Sequence, residues 1–390
     1  MANVSESAEA RALSYLNHPR IHQRFTLPAT GDHEALTVTY ADVGRTPNPG
    51  PNGETVDTPT VLFIPGMFAS RYIGVHIHAV AEKWGARVLI IDRPGMGGST
   101  TVPLGQRMAV WLETVPAILA HLSIKHITLA SHSAGTIYLL NTLYHSRDIL
   151  PTTKPVVSLL APWVDPTHSH VPYMQAARHI PKPIFGFWNR IPEFFHNTVG
   201  QPLAASGMVF TSVTNALTPR AAVSGDHEDN TPRGLNRRRL EEVYGVAKDV
   251  QKELDRLVFY STFREDTSGA NDEAMFCLKK GGTWGEADDY AEYVRRLVEL
   301  ERKRVDEGVQ AGDEARTGKL KVRAYFAESD AMSGKRGQAY VEECWKGGKN
   351  DQYQEAIDFQ SEVLPGTDHD SIIQSVAALE KVFRDAGGTM

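Results

Sequence analysis

The spacing of apolar side chains changes character along the chain. "RIHQRFTLP" (Arg20–Pro28) and "ALTVTYADV" (Ala35–Val43) alternate apolar and polar positions, which predicts an antiparallel hairpin. The first twenty residues read as a short polar helix or a loose arm, and the Pro/Gly/Asn-rich Arg45–Pro59 as a loop. From Thr60 the pattern becomes short continuous apolar runs separated by helical spacing. "TVLFIP", "ARVLIID", "HITLA" and "KPVVSLLAP" predict strands buried on both faces. "SRYIGVHIHAVAEKW", "LGQRMAVWLETVPAILAHL" (with Pro116 expected to bend it) and "AGTIYLLNTLYH" predict the helices between them. Such alternation predicts an α/β protein with a mostly parallel central sheet flanked by helices.

The rhythm stops between Trp163 and Gly318. That stretch mixes prolines with aromatics, then turns strongly charged in "WGEADDYAEYVRRLVELERKRVDEG". The rhythm resumes with the strand "KLKVRAYFAE", a helix near "SGKRGQAYVEECW", a strand near "AIDFQSEVLP" and a last helix "SIIQSVAALEKVFRDA". The expected organisation is a core in two parts, 1–162 and 319–390, interrupted by a helical insertion at 163–318.

Composition narrows the function classes. A length of 390 residues suits one large domain with an insertion. The net charge of −6 argues against a nucleic-acid or anionic-membrane surface as the main partner. Two cysteines, Cys277 and Cys344, fit a reducing compartment. The N-terminal stretch lacks the apolar core of a signal peptide, and no run of about 18 apolar residues occurs, so no membrane span is expected. These features read as a soluble, cytoplasmic protein.

Several short stretches carry candidate chemistry. "SHSAG" (Ser131–Gly135) lies between a buried strand and a helix, where Ser133 is either a helix N-cap or a nucleophile on a tight bend. "FIPGMFAS" (Phe63–Ser70) follows an earlier strand, and "DRPGMGGST" (Asp92–Thr100) the next one. The latter does not complete a dinucleotide G-x-G-x-x-G fingerprint and reads as a compact structural turn. "SDAMSG" follows the resumed strand, and "LPGTDHDSII" puts His369 just before the last helix. His168 and His170 in "THSH" lack a third ligand at metal spacing and read as loop histidines. Arg237–Arg239 read as a solvated helix face.

In this order, and across most of the chain, these motifs resemble the α/β-hydrolase superfamily. "SHSAG" is similar to its nucleophile elbow G-x-S-x-G, with Ser131 in place of the first glycine. "FIPGMF" is similar to its oxyanion segment, with Pro65 where histidine often stands, and "DRPGMGGS" to its D-x-P-G-x-G-x-S turn. The resemblance implies Ser133 as nucleophile, Asp330 as acid (Glu328 and Asp165 being rivals) and His369 as base. It implies the N–H groups of Met67 and Ala134 as oxyanion donors, and a cap formed by the insertion.

The aromatic run of the insertion, Tyr173, Phe185, Phe187, Trp188, Phe194 and Phe195, suggests an apolar cavity facing Ser133. The candidate substrate contacts are Phe68, His132 (chiefly by packing), Trp163, Tyr173, Phe187 and Trp188. The expected activity is cleavage of an ester, thioester or lactone of an apolar or aromatic small molecule, with no cofactor or metal. An acyltransferase, a cyclase, a C–C bond-cleaving enzyme and a small-molecule receptor of the same fold are the alternatives. The cap is also the expected surface for any oligomer.

Overall fold

A computed structural model of the chain describes residues 6–47, 58–190, 230–312 and 318–390. The hairpin forms between β1 (Gln23–Leu27) and β2 (Leu36–Gly44), paired from Gln23↔Tyr40 to Leu27↔Leu36. The four apolar runs become β3 (Thr60–Ile64), β4 (Arg87–Ile91), β5 (Thr128–His132) and β6 (Val156–Leu160). Every residue of these four is buried, as strands covered on both faces require. With β7 (Leu320–Ser329) and β8 (Ile357–Asp368) they make one eight-stranded sheet of order β1-β2-β4-β3-β5-β6-β7-β8. β2 is antiparallel to both its neighbours, and the remaining pairings are parallel. The order reverses at β3, which places the C-terminal ends of β3 and β5 side by side, where sheets of this kind bind ligands.

Helices cover both faces. One apolar core joins α3 (Arg107–His121) and α4 (Gly135–His145) to the sheet. The other joins α1 (Ala8–Leu16) and α2 (Gly74–Lys83) to the opposite face. The segment between β6 and β7 is helical in its described part. It runs through α5 (Pro166–Ser169), α6 (Pro172–Ala177), a 3-10 stretch Lys182–Arg190, α7 (Pro232–Tyr244), α8 (Lys248–Arg264), α9 (Gly269–Cys277) and α10 (Tyr290–Ala311). α9 and α10 bury residues such as Phe276, Tyr293 and Leu297 in the first core, while α8 buries Val250 and Leu254 in the second. The segment is therefore built into both layers of the molecule. α11 (Gly334–Lys346) and α12 (Val376–Asp385) complete the first and second layers.

Two elements, β8 and the last helix, differ from their sequence reading, and the first twenty residues take the helical of the two forms expected. α1 buries Ala12 and Leu16 and meets α8 through Arg256–Glu9 at 3.0 Å, so it is a docked element. β8 runs through Pro365 and Gly366 to Asp368, because a register shift between Ala327 and Ser329 lets pairing resume at Ser329↔Asp368. The last helix divides into a 3-10 turn, Ser371–Gln374, and α12, because Ser375 caps the latter by accepting from Ala378 N–H. Cys277 and Cys344 are free and buried. No helix among the described residues is long and apolar enough to cross a membrane.

Candidate active site

The site grows out of the β5–α4 turn. Ser133 has φ +51°, a left-handed conformation that costs a non-glycine residue about 1–2 kcal/mol. The surrounding backbone holds it there. Ser133 N–H donates to Leu160 C=O (3.1 Å), and Ser133 C=O accepts from Thr136 (2.9 Å) and Trp163 (3.2 Å). Gly135 permits the close approach: a Cβ there would lie 2.2 Å from Ile64 O and 2.8 Å from Pro65 O. Ser131 takes the place of the motif's first glycine without exposure, its Oγ 3.4 Å from Thr136 Oγ1.

His369 Nε2 lies 2.8 Å from Ser133 Oγ, and His369 Nδ1 lies 2.9 Å from Asp330 Oδ1. The carboxylate can only accept, so Nδ1 carries the proton and Nε2 is free to accept from the serine hydroxyl. The sheet explains the meeting. Ser329 pairs with Asp368, so the next residues, Asp330 and His369, leave adjacent strand ends together. Asp330 Oδ1 also accepts the N–H groups of Met332 and Ser333, each at 2.8 Å. Burial would raise the Asp330 pKa, but the His369 charge and these bonds outweigh it and hold the pKa below the usual carboxylate value. Burial would likewise lower the His369 pKa, but Asp330, helped by Asp370 and Asp368, raises it above 6.5.

His132 lies beneath His369. Its Nε2 is 2.7 Å from His369 O, so it is the donor of that bond. Burial, and then the charge of His369, depress its pKa to about 3. It is a neutral support for the His369 backbone. His132, His369 and Asp370 bring potential metal-ligand atoms within 4.8 Å of one another, but both His369 ring nitrogens are already engaged with Ser133 and Asp330.

Opposite the elbow, Pro65–Phe68 leaves β3. Gly66 lies so close to the elbow that a Cβ on it would sit 2.8 Å from His132 Nδ1 and 3.4 Å from Ser133 Cβ. Among the described residues, neither the Met67 nor the Ala134 amide donates to a backbone acceptor outside regular elements.

The rival acids are occupied elsewhere. Asp165 caps α5 through Thr167 (2.8 Å) and lies 3.3 Å from Lys279 Nζ. Glu328 accepts from Gly366 N–H at 2.7 Å. Among the candidate substrate contacts, Phe68 and Trp163 are buried near the elbow, with Phe68 facing Phe263 at 6.4 Å. Tyr173 donates its hydroxyl to Ala331 C=O and so braces the loop that carries Asp330. Trp188 packs on Phe185 in the first core. Phe187 departs from the expectation: it is 64% exposed, beside Arg190. The 3-10 stretch buries positions 185 and 188 and so turns Ile184 and Phe187 outward. Phe194 and Phe195 lie outside the described residues. His168 stacks on Tyr340 at 3.9 Å, and His170 is exposed. Arg237 and Arg239 pair with Asp255 and Glu380, so that helix face binds neighbouring helices rather than facing only solvent.

Sequence reading missed the group behind Pro65–Phe68. Arg93, from the turn treated above as purely structural, donates to Pro65 O, to Gly66 O (2.7 Å) and to Met67 O (3.4 Å). Glu273 of α9 lies 3.3 Å from Arg93 Nε and accepts from Arg107 (2.6 Å) and Tyr138 (2.5 Å). "DRPG" pointed at the arginine, whereas nothing in the local pattern marked Glu273.

The α/β-hydrolase fold family model matches residues 59–269, more than half of the chain, and the chain belongs to that family. Similar solved structures include the mutant "dbja delta" of DBJA, 13% identical over 94% of this chain and 98% of that one, with a TM-score of 0.51. A thermophilic esterase from Thermogutta terrifontis is 14% identical over 93% and 97% of the two chains, with a TM-score of 0.49. An epoxide hydrolase from Vigna radiata, VrEH1, is 13% identical over 94% and 98%, with a TM-score of 0.46. At these identities the likeness speaks to the fold alone. No curated protein matches the sequence.

Proposed function

We propose that the protein is a serine hydrolase that cleaves an ester, thioester or lactone of an apolar small molecule through an acyl-enzyme on Ser133. The observation that carries this reading is the chain of contacts Ser133 Oγ–His369 Nε2 (2.8 Å) and His369 Nδ1–Asp330 Oδ1 (2.9 Å), on a serine with φ +51°. In this mechanism Ser133 Oγ attacks the substrate carbonyl while its proton passes to His369 Nε2. Asp330 stabilises the imidazolium. The N–H groups of Met67 and Ala134 bind the oxyanion. His369 then protonates the leaving group and activates the water that releases the acid. Residues 163–318 act as the cap, and the buried apolar side chains of Met67, Phe68 and Trp163 favour an apolar acyl group.

The test is hydrolysis of aryl esters of graded acyl length. The wild type should turn them over, and Ser133→Ala should reduce kcat by about 10⁶-fold. Equal rates in the two proteins would refute the reading. A second outcome of the same acyl-enzyme, transfer to an alcohol or amine, is favoured by the enclosure of Ser133, which is 3% exposed. Product analysis with and without an acceptor separates the two.

A further inference from the structure

We infer that Arg93 is the positioning residue of the oxyanion segment, and that Glu273, reaching in from α9, holds it in place. This rests on the serine-hydrolase reading and extends it to residues outside the triad.

In a trans peptide the C=O of one residue and the N–H of the next point in opposite directions. Fixing Gly66 C=O therefore fixes the direction of Met67 N–H, the proposed oxyanion donor. Arg93 fixes that carbonyl at 2.7 Å and also bonds the carbonyls of Pro65 and Met67 on either side. A planar guanidinium can hold several acceptors at set angles, which an ammonium cannot. The oxygens are drawn toward Arg93, so the intervening N–H is turned away from it.

Burying that guanidinium demands a counter-charge. The side chains of Arg93, Arg107 and Glu273 are all 0% exposed. Glu273 Oε1 is shared by Arg93 Nε (3.3 Å), Arg107 Nη2 and Tyr138 Oη. The Arg93 guanidinium also lies 5.3 Å from the Tyr138 ring. Arg107 donates to Pro94 O at 2.8 Å and so secures the turn that carries Arg93. The segment between β6 and β7 thus supplies a residue that the oxyanion segment depends on. An apolar core could fill this volume without two buried cations, so the cluster points to positioning rather than to bulk stability.

The test is the rate of phosphonylation of Ser133 by a fluorophosphonate, together with ester kinetics, in wild type, Arg93→Lys and Arg147→Leu. The last breaks the remote pair Arg147–Glu301 and controls for lost stability. Arg93→Lys should lower both kcat and the phosphonylation rate by about 10- to 100-fold, with KM within about threefold, because only the transition state uses the donor. Arg147→Leu should react as wild type does. A wild-type rate in folded Arg93→Lys, or an equal loss in Arg147→Leu, would overturn the assignment. Should Arg93→Lys fail to fold, Glu273→Gln is read in the same way and should be slowed about tenfold. If the wild type itself is not phosphonylated on Ser133, the serine-hydrolase reading fails first. If the wild type reacts and the arginine variant keeps pace with it, only the role of Arg93 is lost.

Discussion

In the proposed mechanism His369 decides the pH behaviour of the site. It must be neutral to accept the Ser133 proton, and Asp330 holds its pKa above 6.5. Activity should therefore be present above that pKa and lost as pH falls through it, giving kcat/KM an acid limb with an apparent pKa above 6.5. His132 adds no limb in this range, because its pKa is depressed to about 3. Removing the Asp330 charge removes the main influence that raises the His369 pKa. Asp330→Asn should move the acid limb of the residual activity to lower pH and reduce kcat by about 10⁴-fold. Glu328→Gln and Asp165→Asn should leave both nearly unchanged, because those carboxylates serve Gly366 and Thr167. A pH–rate series on the four proteins checks this, and a limb that stays in place in Asp330→Asn would contradict it. Ser133, Asp330 and His369 were legible in the sequence as candidates because each directly follows a strand. The contacts of Arg93 were not, since its partners come from residues 26 to 180 positions away in the chain.

At the scale of elements, the fit between the elbow and the β3 loop depends on two missing side chains, those of Gly66 and Gly135. Gly135→Ala would drive a Cβ into Ile64 O, a backbone atom with little room to yield. It should destabilise the protein by about 1–3 kcal/mol, measured by urea denaturation, and lower kcat by separating the elbow from Pro65–Phe68, the proposed oxyanion segment. A variant of unchanged stability would mean that the two loops are not so closely held. Continuous apolar runs announced β3 to β6 because a strand buried on both faces has no polar side to show. β8 was harder to bound. "VLPG" looks like a strand end, and a bulge opposite Ala327–Ser329 is what carries pairing past it. The stretch that forms α10 stood out in the sequence only by its charge within the helical insertion, which did not say that one face would rest on α11 through Tyr293 and Trp345.

Across the whole molecule, buried charge ties the helices after β6 to the sheet. Arg71 pairs with Asp92 at the end of β4 (2.7 Å) and with Glu265 just after α8 (2.6 Å), and it donates to Ile21 C=O. Thr39 of β2 bonds the same Asp92 at 2.7 Å. Arg71→Leu would leave the Asp92 carboxylate buried without its partner and should cost about 3–5 kcal/mol of stability by the same denaturation measurement. The order of motifs made the fold class readable, since it follows from how one sheet is wound. The weaving of the helices into both layers was not readable, because it rests on pairs such as Arg71–Glu265 and Arg93–Glu273, far apart in the chain. On the proposed function, the fold makes one hydroxyl, that of Ser133, nucleophilic. Peptide mapping by mass spectrometry after fluorophosphonate treatment tests it most directly. One adduct is expected, on the peptide that contains Ser133, and none in Ser133→Ala or in heat-unfolded protein. An adduct on another serine, or no adduct on the folded wild type, would contradict it.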